Sequence, residues 1–507
     1  MPSFYRHTTP QGVSCRRPQA YDSNRGEGQP TVQLALPVGL WGQMVGTGVR
    51  RWAVCVAAVA AVLGVPCAAG AETLESALAQ AYRNNPSLNA QRANMRAVDE
   101  GVPQAVSGYR PRVNWQFDSG YQHFESNTLS GGAFTKTNTN ISPRGGNVGL
   151  VQTLYNGQRT GNLTRQAEAA VLAGRETLRN VVQTVLLDGA TAYMNVLRDT
   201  AILDLQRRNV QVLQEQLKQT RDRFNVGEVT RTDVAQSESR VAAAQSQVLQ
   251  AEANLKASQA SYRRIIGVEP VGLRAATPVD RLSPQSLEAS IAQGTGGHPT
   301  VATAQYTVDT AQYAVKAAEG TLYPTVTAEA TVQKRWDLAP GNMDQLTGTV
   351  LGRVNVPIYQ GGAEYSIIRQ AKETLGQRRI ELDVQRDIVR ASVVQSWSAL
   401  QATKAQIIAA QAQVTATEVA LNGVREEARV GQRTTLDVLN AQQELVNARV
   451  ALVTAQRDRV VASFTLLAAV GQLGPQVLSL KTEDYDPRVH YHQVRDKWFG
   501  VRTPDGR

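Results

Sequence analysis

Cysteine is scarce in this sequence and is confined to its beginning. The three cysteines are Cys15, Cys55 and Cys67, and none follows in the remainder of the 507 residues. The later chain can therefore form neither an internal disulfide nor a thiolate metal site. A segment without cysteine also suits an oxidising compartment.

Histidine is scarce as well, and none of the five histidines is paired with a cysteine or an acid at the spacing of a metal site. The closest pair, His490 and His492, lies in a polar tail and is best explained as incidental. No phosphate-binding glycine loop occurs in the sequence. We therefore predict no enzymatic activity, no cofactor, no metal site and no nucleotide hydrolysis by the chain itself.

Long runs of one charge are missing too, although the net charge is +10. Six of the 53 basic residues and two of the 43 acidic residues lie in residues 1–71, which leaves +6 for the rest of the chain. This excess is mild and scattered. It argues against nucleic acid as a partner.

The first 71 residues contain the pattern of a secretory signal. Arg50-Arg51 precedes the apolar segment Trp52–Val65, and small residues follow up to Ala71. We predict a signal peptide over about 44–71, with cleavage before Glu72. An uncleaved membrane anchor and a lipid-anchored cysteine are the alternatives.

The rest of the chain is organised around a stretch of nine residues that occurs twice. Residues 226–234 return as residues 430–438, an offset of 204 that also relates Tyr155 to Tyr359. Gly227 and Gly431 can take the left-handed conformation that ends a helix, and each is followed by Thr-x-x-Asp, a signal for a new helix. Each copy is therefore predicted to be a tight turn between two helices.

Each repeat is predicted to contain a β-hairpin and a pair of long helices. After a proline-terminated helix, the apolar period changes from helical to two, which indicates strands. Later, apolar residues recur every seven positions, which is typical of a coiled coil. The predicted segments are a first repeat at 72–285 (strands about 111–125 and 146–155, helical hairpin about 158–267), a second repeat at 286–475 (strands about 324–336 and 345–359, helical hairpin about 362–471), polar loops at 126–146 and 337–344, a link at 270–297 and a polar C-terminal tail at 476–507.

Four strands with an apolar face cannot close into a barrel, because about eight strands are the practical minimum. If these strands contact lipid, the chain must oligomerise to pair its edge strands. The narrow heptad stripe buries only a partner helix, which favours a long tube or rod over a globule.

Five motifs stand out near the turns and at the start of the second long helix: Arg223-Phe224-Asn225-Val226-Gly227, Thr232-Asp233-Val234, Pro357-Ile358-Tyr359-Gln360-Gly361-Gly362, Gly431-x-Arg433-Thr434 and Asp437-Val438-Leu439. They resemble the motifs of the TolC family of outer-membrane efflux and secretion channels. The resemblance covers about residues 72–475, with the motifs in the same order.

This resemblance implies a mainly α fold with a membrane β-barrel contribution. It implies a homotrimer in which three chains form one 12-stranded barrel in the cell outer membrane, in contact with its lipid. The helices would continue the barrel as a tunnel through the periplasm. The two helical turns would then lie at the inner end of the tunnel, where the family has its entrance and gate.

The resemblance also assigns entrance and gate positions. Asp437 matches the first of two entrance aspartates, whereas the second position is Asn440, so a trimer would keep one ring of three carboxylates. Thr232, Asp233 and Arg433 match positions that link the closed gate.

One gate position departs from the family pattern, because the tyrosine expected five residues before Arg433 is Ala428. Arg429 is a candidate substitute as a charged partner for Asp233. A simpler explanation is open for each site: helix capping alone accounts for Asp233 and Asp437, and Arg433 can be a solvated turn residue.

The implied function is a passive exit duct of a tripartite efflux pump or type I secretion system. Its partners would be a periplasmic adaptor and an inner-membrane transporter, which must supply the energy. The alternative is a periplasmic coiled-coil adaptor or structural tether without a channel. An adaptor needs a compact β domain between the arms of its hairpin, and none is visible between Phe224 and Val234.

Overall fold

The computed structural model describes residues 72–338 and 343–506, which belong to one compact unit, Ala69–Arg507. The predicted signal segment and Ala71 lie outside the described residues, and Glu72 lies within them. No helix in these described ranges combines the length and the hydropathy needed to cross a membrane.

In the described part of the chain, ten α-helices and six strands fall into two repeats. The first repeat contains α1 (Leu74–Asn84), α2 (Pro86–Asp99), α3 (Gly101–Val106), β1 (Arg112–Ser119), β2 (Gln122–Ser130), β3 (Ala133–Ile141), β4 (Arg144–Asn156), α4 (Arg159–Asn225) and α5 (Arg231–Ile266). The second contains α6 (Leu287–Gly297), α7 (Pro299–Glu319), β5 (Thr325–Trp336), β6 (Gln345–Asn355), α8 (Ala363–Arg429) and α9 (Thr435–Ala469), and α10 (Pro487–Val494) follows. Helix α6 lies in the stretch that composition indicated as a link.

The break between α1 and α2 has a local cause. Asn85 ends α1 and caps α2, its Oδ1 accepting hydrogen bonds from the backbone N–H groups of Ser87 and Leu88. Pro86 occupies the first turn of α2, where no backbone donor is needed. The Asn85 amide also donates to the carbonyl of Ile265 at 2.9 Å, which ties this corner to the end of α5.

The two longest helices, α4 and α8, have the same length and positions related by the repeat. Each has 67 residues, or roughly 100 Å at 1.5 Å per residue. Helix α4 packs against α5, α7 and α9, and α8 packs against α7 and α9. The long helices are therefore laid against shorter ones along their length.

The apolar residues that recur every seven positions are buried at some positions and half-buried at most others. Buried members are Val196, Leu203, Val241, Tyr262, Leu400, Val414, Leu421, Val438 and Leu445. Phe224, the last of these residues in α4, is 42% exposed. The stripe thus holds the helix pairs together but stops short of the first turn.

A larger core lies where α1 and α2 meet α4, α5 and α9. Its most buried side chains include Leu78, Leu88, Met95, Leu186, Tyr193, Tyr262, Ile266, Phe464 and Leu467. The Tyr193 hydroxyl lies 2.9 Å from the carbonyl oxygen of Glu72 and 2.7 Å from that of Arg274. Burial raises the pKa of Tyr193 to about 12, so this phenol stays protonated as a donor at neutral pH.

Four strands form one antiparallel sheet in the order β1-β4-β5-β6. Strands β1 and β6 are its edges. The register places apolar side chains directly opposite one another on a single face. Exposed members of this face are Val113, Trp115, Phe117, Val148, Leu150, Val332, Leu346, Val350 and Val354.

The opposite face of the sheet is polar and carries ion pairs. Arg335 on β5 donates to Asp118 on β1 at 2.6 Å, across the intervening strand β4. Arg353 on β6 donates to Glu329 on β5 at 3.1 Å. The sheet therefore has one apolar face and one charged face, both accessible in the single chain.

The prediction of a loop at 126–146 is wrong for most of this range, because strands β2 and β3 form a separate two-stranded sheet there. Gly131 and Gly132 join them, with φ of +61° and +86°. Two glycines with positive φ are the signature of a tight hairpin turn, and threonine-rich runs flank them. Their polar composition masked the strand signal.

The polar C-terminal tail is structured and packs against the first repeat. Helix α10 lies against α2, where His490 Nδ1 is 3.0 Å from the buried carboxylate of Asp99. Burial raises the pKa of Asp99 above its usual range, and the hydrogen bond with His490 opposes that shift. Farther along, the guanidinium of Arg110 stacks 4.7 Å from the ring of Trp498. Charge and aromatic contacts hold the tail in place.

We expect Gly157→Ala to destabilise the protein strongly. Gly157 has φ of +64°, and an added Cβ would collide with the carbonyl oxygen of Gly320 and lie 2.8 Å from Tyr323 Cβ. Backbone strain and overpacking together should cost about 2–4 kcal/mol. The control is Gly131→Ala, where φ is +61° but the space is open. Thermal unfolding should show a much larger loss for Gly157→Ala, and equal losses would contradict the packing argument.

Candidate functional site

The first helical turn joins α4 to α5. Gly227 adopts φ of +82°, and the N–H of Glu228 donates to the carbonyl of Arg223 at 2.9 Å, which closes the end of α4. Thr230 caps α5, and its N–H donates to Asp233 Oδ2 at 2.9 Å. The two helices are therefore joined by a turn whose backbone donors are satisfied locally.

The second turn, between α8 and α9, repeats this geometry. Gly431 adopts φ of +80°, and the N–H of Gln432 donates to the carbonyl of Glu427 at 2.9 Å. Thr434 is the N-cap, and both its N–H and its hydroxyl donate to Asp437 Oδ2, at 3.0 and 2.9 Å. The predicted capping role of Asp233 and Asp437 is thus confirmed in both turns.

Capping leaves charge available on Asp437. The hydrogen bonds from the backbone and hydroxyl of Thr434, with a smaller contribution from Arg433, hold the pKa of Asp437 below its usual range. Both bonds end on Oδ2, and in the described part of the chain Oδ1 has no hydrogen-bond partner. Asp437 can therefore cap α9 and still present a carboxylate oxygen to a cation.

The arginines of the second turn pair within their own hairpin. Arg433 Nε donates to Glu427 Oε2 at 2.8 Å, which raises the pKa of Arg433 above its usual range. Arg429 donates to Glu426 at 2.9 Å. The single chain does not bring either arginine to Asp233.

Thr232, the remaining candidate of the first turn, has an exposed side chain, for which the described ranges contain no hydrogen-bond partner. It is therefore a helix-start residue facing solvent in the single chain. The single chain forms no link between an arginine and either Thr232 or Asp233 in the described ranges.

The two turns carry ion pairs of opposite polarity. In the first, Arg223 at the end of α4 donates to Glu228 in the turn at 3.0 Å. In the second, the acid Glu427 is at the end of α8 and the base Arg433 is in the turn. Arg223 and Glu427 occupy equivalent repeat positions, whereas their partners do not, because Glu228 corresponds to Gln432. Each turn is therefore tied to the preceding helix by an ion pair, with the helix residue basic in the first turn and acidic in the second.

A contact between the two hairpins was missed by the sequence analysis. Arg240, on α5, donates to Asn440 Oδ1, on α9, at 2.7 Å. Leu439, beside Asn440, is buried in a cluster with Leu213 and Val241. This packing fixes α9 against the first hairpin and holds Asn440 in reach. No local sequence signal indicates this contact, because its two residues are 200 positions apart in the chain.

Behind this contact, a buried polar chain crosses the same helix interface. Gln442 on α9 accepts from Arg425 on α8 at 3.0 Å and donates to Asn209 on α4 at 3.4 Å. Gln442 and Asn209 are both buried. Buried polar groups need hydrogen-bond partners, so this network fixes the positions of α4, α8 and α9 along one another.

No group of three or more histidine, cysteine, aspartate or glutamate side chains is placed to hold a metal ion within residues 72–338 and 343–506. The chemistry of the two turns consists of carboxylates, guanidinium groups and amides near the exposed ends of long helices. Such groups can attract ions and link helices.

Comparison with known proteins gives one family. The family model described as "Outer membrane efflux protein" matches residues 77–268 and 293–472, which include both helical turns. The two matched ranges fall in the two structural repeats.

Known relatives and solved structures agree with this match. The chain is 42% identical over 443 residues to the outer membrane efflux protein BepC of Brucella suis biovar 1 (strain 1330), covering 87% of this chain and 94% of BepC. It is 26% identical over 423 residues to the outer membrane protein TolC of Escherichia coli (strain K12), covering 80% and 84%. The fold is similar to a crystal structure of CusC, with a TM-score of 0.67 at 17% identity, covering 78% and 92%.

We expect Thr434→Ala to loosen the second turn. The change removes one donor to Asp437 and the acceptor for the N–H of Asp437, and loss of such a cap costs about 1 kcal/mol. Hydrogen exchange of the backbone around residues 430–440 should become roughly fivefold faster.

Thr435→Ala is the control for this change, because Thr435 is in α9 and its side chain makes no hydrogen bond in the described part of the chain. Equal exchange rates in the two variants would show that the cap does not stabilise the turn.

Proposed function

Because the chain belongs to the outer membrane efflux protein family, we propose that it works as a trimeric exit duct in the cell outer membrane. The resemblance to the TolC family seen in the sequence is confirmed. The proposed duct conducts substrates passively from a periplasmic adaptor and an inner-membrane transporter to the exterior. The observation that best supports this proposal is the four-stranded sheet, which has an exposed apolar face and two open edges.

The open edges support the trimer. Strands β1 and β6 each leave one row of backbone hydrogen-bonding groups without strand partners in the described sheet. In lipid, each unsatisfied backbone group costs several kcal/mol, so the edges must be paired. Pairing β6 of one chain with β1 of the next, three times, closes a 12-stranded barrel of a size found in outer membranes.

The two faces of the sheet support a lipid-facing outside and an aqueous inside. Trp115 is 74% exposed and Val350 is 86% exposed, an arrangement that is unfavourable in water but suits lipid. The ion pair between Arg335 and Asp118 would then lie on the inner face. At the helical end of the sheet, Tyr359 is exposed and suits the membrane interface.

The proposed partners follow from what the chain offers. Energy has to come from an inner-membrane efflux or type I secretion transporter, because the sequence has no nucleotide-binding loop. A periplasmic adaptor would dock at the helical turns, where the helices end. BepC is named as an efflux protein, which favours efflux of small molecules over protein secretion as the first substrate class to test.

The turns form the proposed entrance. Three copies of Asp437 make one ring of carboxylates, while the second position of the family pattern is the neutral Asn440, held by Arg240. We assign Thr232, Asp233, Arg429 and Arg433 to links between hairpins of adjacent chains. Opening would move the helix ends apart about Gly227 and Gly431, a displacement of packed helices.

The alternative of a periplasmic adaptor or tether is not supported. The family match covers both repeats, whereas neither alternative requires two equivalent hairpins that both carry strands. The turn between α4 and α5 holds only five residues, which leaves no room for a domain.

We expect Asp437→Ala to weaken cation preference in single-channel recordings from planar bilayers. Removal of the one carboxylate ring should lower the cation-to-anion permeability ratio roughly severalfold. Asn440→Ala, which removes no charge, is the matched control. Unchanged selectivity in Asp437→Ala would refute the entrance ring. A protein that has the size of a trimer but never conducts, even after the gate residues are substituted, would refute the duct.

The pH dependence of the wild type gives a second test of Asp437. Its lowered pKa keeps the carboxylate ionised to a more acidic pH than is usual for an aspartate, so cation preference should be full at neutral pH and decline only in that acidic range. Thr434→Ala removes one of the hydrogen bonds that lower this pKa, so the decline should move to higher pH. Selectivity that titrates near neutrality would contradict the assignment.

We expect Arg433→Ser and Arg240→Ser to raise the conductance of the resting channel. Each removes a link at the turns, either the ion pair between Arg433 and Glu427 or the hydrogen bond from Arg240 to Asn440. The two effects should be roughly additive because the links are separate. Arg231→Ser is the control, since Arg231 is exposed at the first turn and has no ion pair in the described ranges. An equal increase in conductance in the control variant would contradict a role of Arg433 and Arg240 in the gate.

A further inference from the structure

A cavity of about 420 Å³ lies where the chain after α9 folds back over α2 and α4. Three arginines line it: Arg92 on α2, and Arg175 and Arg179 on α4. The only carboxylate in the lining is that of Asp484 in the tail. Residues 471–477 form much of the remaining wall, so segments far apart in the sequence build the cavity.

Two of the three arginines that line this cavity have no ion pair among the described residues. Neither Arg92 nor Arg175 has a carboxylate within ion-pair distance among the described residues, whereas Arg179 pairs with Glu176 at 3.4 Å. The carboxylate of Asp484 accepts from the amide of Gln476 at 3.0 Å instead of from an arginine. The lining therefore has an excess of guanidinium groups over acids.

Arg92 is held in place without a carboxylate partner in the described part of the chain. Its guanidinium lies 4.6 Å from the ring of Tyr82 and 5.1 Å from the ring of Tyr485. It also donates to Asn89 Oδ1 at 3.0 Å and to the carbonyl of Tyr82 at 3.2 Å. A guanidinium fixed by stacking and by neutral acceptors is preorganised to bind an anion at low entropic cost.

Arg175 has an unmet hydrogen-bonding requirement. Its guanidinium lies 5.2 Å from the ring of Tyr491, and its Nε is buried without an acceptor in the described part of the chain. In the described part of the chain no side-chain N–H group of Arg175 has an acceptor, so the guanidinium that lines the cavity has donors available for an anion. Arg175 is thus the second fixed cation of the lining.

We propose that this cavity is a binding site for a small organic anion, a phosphate monoester or a carboxylate carried on an apolar body. Guanidinium forks match the oxygens of both groups bidentately. The apolar walls formed by Leu178, Val182 and Leu473 suit a hydrocarbon or ring. Because Tyr485 and Asp484 belong to the tail, the bound anion also fastens the tail to α2 and α4.

Isothermal titration calorimetry on the full, detergent-purified protein tests the site. The probes are phenyl phosphate, benzoate, inorganic phosphate and benzyl alcohol at constant ionic strength. Phenyl phosphate or benzoate should bind at least about tenfold more tightly than inorganic phosphate and benzyl alcohol, because only they combine the oxyanion with an apolar ring. The tighter of the two identifies the phosphate ester or the carboxylate as the ligand group.

Substitutions locate the binding. Arg92→Gln and Arg175→Gln should each weaken the better probe by about tenfold, while Arg175→Lys keeps the charge and should lose less. The matched control is Arg165→Gln, an exposed arginine on α4 outside the cavity. Equal binding of all four probes, or the same loss in the Arg165 variant, overturns the proposal. The comparison of probes on the unmodified protein decides the question even if a glutamine variant does not fold.

Discussion

The unpaired backbone groups at the two edges of the four-stranded sheet are the constraint on which the proposed assembly depends. A single chain offers an apolar face on four strands with free edges, which is stable neither in water nor in lipid. Closure between chains satisfies both requirements together, since it pairs the edges and turns every apolar face outward. The long helices then follow from the barrel strands and form the wall below them.

Because the chain contains two equivalent repeats, a surface that one repeat leaves open can be filled by a neighbouring copy of the chain. At the joint between strand and helix, Gly157 of the first repeat is packed tightly against Gly320. At Gly361, the equivalent residue of the second repeat, an added Cβ would meet no atom within 4 Å in the single chain. One joint is thus made inside the chain, and in the proposed trimer the equivalent joint is made with the next chain.

In the second helical turn, the carboxylate that caps the helix is also available to interact with a cation. Capping needs a carboxylate at the third helical position, and the same carboxylate retains a free oxygen and a lowered pKa at Asp437. Near it, Arg240 on the first hairpin holds the neutral Asn440 on the second, and Glu427 engages Arg433 within the second hairpin. In the proposed entrance, the charge would come from the single ring of Asp437.

The sequence alone determined the features that depend on neighbours along the chain. Helix periods, the Gly turns and the capping boxes of Thr230 with Asp233 and Thr434 with Asp437 involve residues within a few positions, so local patterns specify them. The strands β2 and β3 were missed because their residues are polar on both faces. Only the tertiary structure decided the contacts between distant segments, such as Arg240 with Asn440, 200 residues apart, and His490 with Asp99, 391 residues apart. No local pattern encodes such pairs, because helix packing and the return of the tail bring them together.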